Sequence, residues 1–118
     1  MIAETSRLRI REAVEGDAHF VNELLNSPGF LRYIGDRGVR SDEDALAYIR
    51  KNYHGSYLTN GFGLNIVELK SDATPVGVCG LVKRDSLPEP DLGFAFLPAF
   101  EGLGYGTESA SVVLADAT

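Results

Sequence analysis

The sequence predicts an α+β or α/β domain built on a mixed sheet, in the order strand, helix, helix, strand, strand, strand, helix. Three observations predict it. Apolar and charged residues alternate over 7–11, and apolar stripes at helical spacing recur over 17–26 and 42–53. From Phe62 the texture changes to short apolar runs separated by turn residues, followed by a glycine-rich loop and a stretch of helical composition over 98–117.

Each element has its own justification. Leu8 and Ile10 alternate with Arg7, Arg9 and Arg11, the period of a half-buried strand. Asp17 precedes Ala18, Phe20, Val21, Leu24 and Leu25, which share one helical face, and Ser27, Pro28 and Gly29 end the pattern, so a first helix covers about 17–26. Phe30, Leu31, Tyr33 and Ile34 then form a short turn into the loop Gly35, Asp36, Arg37, Gly38. Ser41 can cap a second helix whose acidic first turn, Asp42, Glu43 and Asp44, suits the positive end of a helix dipole. Its buried stripe is Ala45, Leu46, Ile49 and Tyr53, with His54 in the loop behind it. Runs at 64–69, 76–82 and 92–97 read as three strands, and the short connections 70–75 and 84–91 make hairpins, hence antiparallel pairing, the economical joins.

Composition narrows the function classes. A single domain is expected from 118 residues, a size that buries roughly 65% of the unfolded surface. The 17 acidic and 11 basic side chains leave a formal charge of -6, and no Lys or Arg run exceeds the pairs Arg50, Lys51 and Lys83, Arg84. Nucleic acid is therefore not an expected partner, since phosphate neutralisation needs clustered cations. Cys79 is the only cysteine in the chain, which excludes an internal disulfide and a multi-cysteine metal site; between Val78 and Gly80 it reads as a small buried hydrophobe. Residues 1–12 have no signal-peptide pattern, and no apolar stretch approaches the ~20 residues that span a bilayer. The expected location is the cytoplasm.

The chemistry concentrates in 92–110. A strand runs through Pro98 into Gly102, Gly104 and Gly106 and then into a helix, so free backbone N–H groups and the positive end of a helix dipole converge on an anion site. Glycines there admit positive φ and let phosphate oxygens approach the main chain. Two phosphate readings fail on spacing. A dinucleotide fingerprint would need glycine where Thr107 stands, and a mononucleotide P-loop would need a Lys that 98–107 lacks. A pyrophosphate held by backbone amides remains. A plain strand-to-helix turn is the structural alternative.

On these residues the chain resembles the GNAT superfamily, in particular the branch that includes ribosomal-protein alanine N-acetyltransferases. The resemblance runs from Thr5, Ser6, Arg7, Leu8 and Arg11 through Asp17 and Ala18 to Leu92, Gly93, Phe94, Pro98, Gly104, Tyr105, Gly106, Thr107 and Glu108. It implies a GNAT-like fold and transfer of acetyl from acetyl-CoA to a primary amine, a protein N-terminus or a small amine, by direct attack and without a covalent intermediate; no His, Asp, Glu or Cys set has metal-ligand spacing, so no metal is expected. It also implies that the pantetheine arm lies along Phe96 and Leu97, with a backbone N–H near Phe96 polarising the thioester, and that the pyrophosphate sits on Gly102, Leu103, Gly104, Tyr105, Gly106 and Thr107. Glu101 departs from the pattern, since much of the superfamily has Gln or Arg there, and its charge must point away from phosphate.

Asp91, at the head of the cofactor strand, is the candidate general base, with Glu89 second; a solvated carboxylate in a turn is the alternative for both. A peptide N-terminus, with a pKa of about 8, demands less of such a base than a Lys amine at about 10.4. Tyr33, Asp36 and Arg37 fall in the segment that, by the resemblance, helps form the acceptor groove. His19 and His54 have no catalytic setting. The resemblance further implies that the C-terminal strands of the fold and a tyrosine general acid lie beyond Thr118. The front part of the domain would then expose an edge at 92–97 that a second copy could cover in a homodimer. A catalytically silent acyl-CoA binding module is the alternative function, and a ligand-free structural fragment a third.

Overall fold

A computed structural model of the chain describes residues 3–82 and 91–117. Five strands, β1 (Ala3–Glu4), β2 (Leu8–Glu12), β3 (Leu64–Leu69), β4 (Pro75–Val82) and β5 (Asp91–Phe96), lie in the sheet in sequence order. All four pairings are antiparallel. The α+β class holds, but the parallel pairing that a mixed sheet requires is not found among the described strands. The two-residue β1 was not anticipated; two residues carry no periodicity to read.

Between β2 and β3 the chain is helical. After a 3-10 turn Glu15–Asp17 come α1 (Ala18–Leu25), α2 (Pro28–Tyr33) and α3 (Asp42–Tyr48). The expected turn at 30–34 is thus mostly helix, opened by a proline at its first position, where the missing N–H costs nothing. Ser41 caps α3 as expected, its hydroxyl accepting from the Asp44 N–H at 3.0 Å. That helix does not stop near Tyr53. It continues through a π-helical segment Ile49–His54 into α4 (Gly55–Asn60) and ends at Gly61 in the left-handed conformation. His54 therefore sits in helix, not loop, and its Nε2–H donates to the Ala13 carbonyl at 2.7 Å. Last comes α5 (Tyr105–Ala117).

The sheet separates two apolar layers, as period-two alternation dictates. Ile66 and Val78 face the α1–α4 side, against Phe20, Val21, Leu24 and Ile49. Leu8, Ile10, Val67, Val76 and Cys79 face α5, which contributes Val113. Cys79 is fully buried, and burial pushes its thiol pKa up, so the small-hydrophobe reading stands. Among the described residues no helix is long and apolar enough to cross a membrane, and no three His, Cys, Asp or Glu side chains are grouped to hold a metal ion.

Candidate functional site

The strand β5 delivers the chain to the glycine loop. Leu97 donates its N–H to Val76 at 3.0 Å, so by antiparallel alternation Phe94 and Phe96 direct their N–H groups toward the open edge of the sheet. A 3-10 turn, Pro98–Phe100, follows, then Gly102 at φ 75° and Gly104 at φ 84°, a region that side chains with a β-carbon rarely occupy. Helix α5 opens at Tyr105, two residues earlier than its composition suggested. Glu108 donates to the Gly104 carbonyl at 3.0 Å, which leaves the amides of Tyr105, Gly106 and Thr107 in the turn that has no earlier helical carbonyl to meet.

A cavity of about 400 Å³ opens at this point. Of the eight residues expected to hold a cofactor, Phe96, Gly102, Gly104, Tyr105 and Gly106 line it. Leu97, Leu103 and Thr107 do not. Leu97 packs toward the α1–α4 core, Leu103 is half-exposed, and Thr107 is exposed. A β-carbon on Gly106 would stand 3.3 Å from the Phe94 ring, so this glycine lets the helix start close to the strand. Glu101 is exposed on the rim, and a β-carbon on Gly29 would stand 3.3 Å from its Oε1, so its carboxylate lies over the start of α2.

The loop is clasped from the far end of the chain. The turn between β1 and β2 carries Arg7, whose Nε donates to Glu108 Oε1 at 2.8 Å and whose Nη2 lies 2.6 Å from the same oxygen. Arg7 Nη1 donates to the Leu103 carbonyl at 3.1 Å, and the guanidinium carbon stands 4.6 Å over the Tyr105 ring. The Thr5 hydroxyl and the Arg7 N–H donate to the other Glu108 oxygen. Burial alone would raise the Glu108 pKa, but the Thr5 and Arg7 hydrogen bonds outweigh it and hold the carboxyl below its ordinary value. The opening and closing motifs of the family resemblance thus touch.

A second cavity of about 730 Å³ adjoins the first, sharing Phe30, Ile34, Phe94 and Ala95 with it. Arg37 lines it. So do Tyr48, Asn52, Ser56 and Asn60, one from each successive turn of the α3–α4 run. None of these four was singled out from the sequence, although their spacing of four is legible once the helix is carried through to Asn60. Asp36 is not in the lining. It pairs with Arg40, through Nη1 at 2.9 Å and through Nη2, and accepts the Gly38 N–H at 2.8 Å. Tyr33 closes α2, with its side chain outside the described residues.

Asp91 opens β5, is exposed and pairs in register with Val82; Leu92 and Gly93 line the second cavity, while Asp91 itself does not. Five residues of strand put it roughly 17 Å from Phe96. Glu89 lies outside the described residues. His19 is exposed, its Nδ1 3.2 Å from Asp42 Oδ2, and lines neither of the two cavities.

The family model "Acetyltransferase (GNAT) domain" matches residues 7–118. YnaD of Bacillus subtilis (strain 168), an uncharacterized N-acetyltransferase, is 28% identical over 110 residues, which are 93% of this chain and 61% of that protein. The crystal structure of an acetyltransferase from Agrobacterium tumefaciens str. C58 superposes with a TM-score of 0.78 at 22% identity, over 98% of this chain and 65% of the other. A proposed ribosomal-protein-serine acetyltransferase from Vibrio cholerae gives a TM-score of 0.74 at 18% identity, over 94% and 63%. The chain spans less than two thirds of the length of each of these relatives.

Proposed function

The chain belongs to the GNAT acetyltransferase family, and from that premise we propose that it takes part in N-acetyl transfer from acetyl-CoA to a primary amine, a protein N-terminus or a small amine. The observation that carries this reading is the meeting of Phe96, Gly102, Gly104 and the first turn of α5 around one cavity. Backbone amides and the helix dipole there suit the pyrophosphate. The edge-facing N–H of Phe96 would polarise a thioester carbonyl, as an oxyanion donor does. The adjoining cavity, with Arg37, Tyr48 and Asn52, would receive the acceptor, so that the amine meets the thioester where the two cavities join, at Phe94 and Ala95. Acetyl-CoA supplies the activated acyl group; the chain orients both reactants.

Asp91 remains the proposed base. From its place outside the cavity lining it would act through water, which suits an amine already partly neutral near pH 8. That same displacement favours the second reading, a catalytically silent acyl-CoA binding module.

Two measurements separate them. CoA at about 100 times its dissociation constant should add ~2.7 kcal/mol to stability, and Gly104→Val should remove that gain. No rise with CoA, against a rise with NAD or ATP, would overturn the cofactor reading. Thiol release from acetyl-CoA that depends on an added amine supports transfer; CoA binding with no such release across peptide N-termini, polyamines and aminoglycosides supports the silent module. For the base, Asp91→Asn should lower turnover with little change in cofactor affinity.

A further inference from the structure

We propose that Arg7 and Glu108 are a positioning pair for the phosphate loop: the β1–β2 turn reaches across to cancel a charge in the first turn of α5 and to fix the geometry in which that turn meets a pyrophosphate. The inference rests on the cofactor reading above. It concerns residues that do not line the cavity and act through those that do.

The electrostatic need comes first. An acidic side chain in the first turn of a helix occupies the helix's positive end. Glu108 is that side chain, and an unneutralised carboxylate there would repel a second anion arriving at the same amides. Glu108 is turned away from the cavity and toward the β1–β2 turn, where its two oxygens take Arg7 Nε, Nη2 and backbone N–H together with the Thr5 hydroxyl. Its charge is met behind the loop, which leaves the open side of the amides to the ligand.

The mechanical need is met by the same guanidinium. Arg7 donates to the carbonyl of Leu103, between the two left-handed glycines, and covers the ring of Tyr105, which does line the cavity. A β-carbon at Gly104 would lie 3.4 Å from Arg7 Nη2. One planar group therefore touches residues 103, 105 and 108, lies beside Gly104, and holds a loop whose glycines would otherwise sample many conformations. Its fork of donors makes these contacts at once, which the point charge of a Lys does not do.

The test is calorimetric titration of the full chain with CoA and with pantetheine, which lacks the pyrophosphate. Arg7→Ala should weaken CoA binding about tenfold, the scale of a lost charge-assisted contact, and leave pantetheine binding unchanged within about twofold. Arg7→Lys should recover part of the loss. Adding Glu108→Gln to Arg7→Ala should recover part of it, because the repelling charge is gone while the hold on Leu103 and Tyr105 is not restored. Equal losses for CoA and pantetheine, no loss at all, or a double variant no better than Arg7→Ala would overturn the proposal. Should Arg7→Ala fail to fold, Arg7→Lys decides: CoA binding weakened with pantetheine binding unchanged supports the pair, and equal losses for both ligands or no loss refutes it. A wild-type chain that binds no CoA sinks the cofactor reading and this inference with it, whereas the other negative outcomes sink the inference alone.

Discussion

Two arginines four residues apart show how burial decides what an ion pair does. Arg11, on β2, sends both Nη groups to Asp17 at 2.8 Å each and its Nε to Glu68 at 2.5 Å, and the two carboxylates are only 7% and 5% exposed. Asp17 also accepts the Val14 N–H at 2.8 Å, which fixes the turn into α1, and Arg9 reaches Glu68 at 3.3 Å. The Asp17 hydrogen bonds raise the Arg11 pKa further still. Arg7, in the preceding turn, is 47% exposed and reaches the glycine loop instead. The same side chain thus locks the helical half to the sheet at one position and adjusts the edge of a cavity at the other. A charge sealed from water cannot lose its partner cheaply; one in contact with water can.

The largest expected effect tests the sealed pair. Arg11→Met should cost about 3 kcal/mol or more in urea denaturation, because Asp17 would lose both guanidinium contacts in a dry site and Glu68 would be left with the longer Arg9 contact. A loss under about 1 kcal/mol would mean that Arg9 alone suffices, and the contrast with Arg7 would collapse.

Next comes Tyr57, which asks whether burial acts without formal charge. Its hydroxyl donates to the Leu64 carbonyl at 2.5 Å and accepts the Ala13 N–H at 3.0 Å. Tyr57→Phe should cost about 1–3 kcal/mol by leaving both groups unpaired. Burial pushes the Tyr57 pKa from 10.0 up to about 12. The stability tied to its neutral form is therefore complete below pH 10.0 and is lost as pH rises through about 12, which phenolate absorbance in the folded chain will follow.

Arg7→Ala should cost less than about 1 kcal/mol in the same denaturation experiment. A loss matching that of Arg11→Met would make Arg7 a fold-holding residue and blur the comparison.

The smallest effect belongs to Asp36. The Arg40 side chain, and after it the Gly38 N–H, hold the exposed Asp36 carboxyl down at about 2 against an ordinary 3.8. Its contribution is present above pH 3.8 and lost as pH falls through about 2, and the Asp36 carboxyl carbon followed by NMR should titrate in that lower range. Asp36→Asn should leave the denaturation midpoint at neutral pH nearly unmoved, as water-screened pairs do.

Strands β2 to β5 and α1 were legible because alternation, short apolar runs and a stripe of apolar residues are local signals. The Ser41 cap and the glycine loop were legible for the same reason. The helical run to Asn60 was not: its π-helical segment breaks the 3.6-residue rhythm, so Tyr53 looked like an end and the row Tyr48, Asn52, Ser56, Asn60 stayed hidden. Nor could spacing predict that Arg7 meets Glu108, 101 residues away, since only the assembled sheet brings the first turn under the last helix. The resemblance set Leu97 along the pantetheine arm and Leu103 on the pyrophosphate loop; backbone alternation turns the side chain of the first toward the core, and that of the second, between two left-handed glycines, is half-exposed.

Because β3, β4 and β5 follow one another both along the chain and across the sheet, their pairing closes short loops first, hairpins forming on a scale of about microseconds. Strand β2 is different: it must find β3 across the whole helical segment 13–63, a long-range search that carries most of the topological delay. The meander then serves as a ready template, and docking Leu8 opposite Leu69 sets the register of the entire N-terminal hairpin in one step. Without that step β3, β4 and β5 can pair, but Arg11 does not meet Glu68 and Arg7 does not meet Glu108, so the long-range pairing of β2 is also what brings Arg7 to the glycine loop.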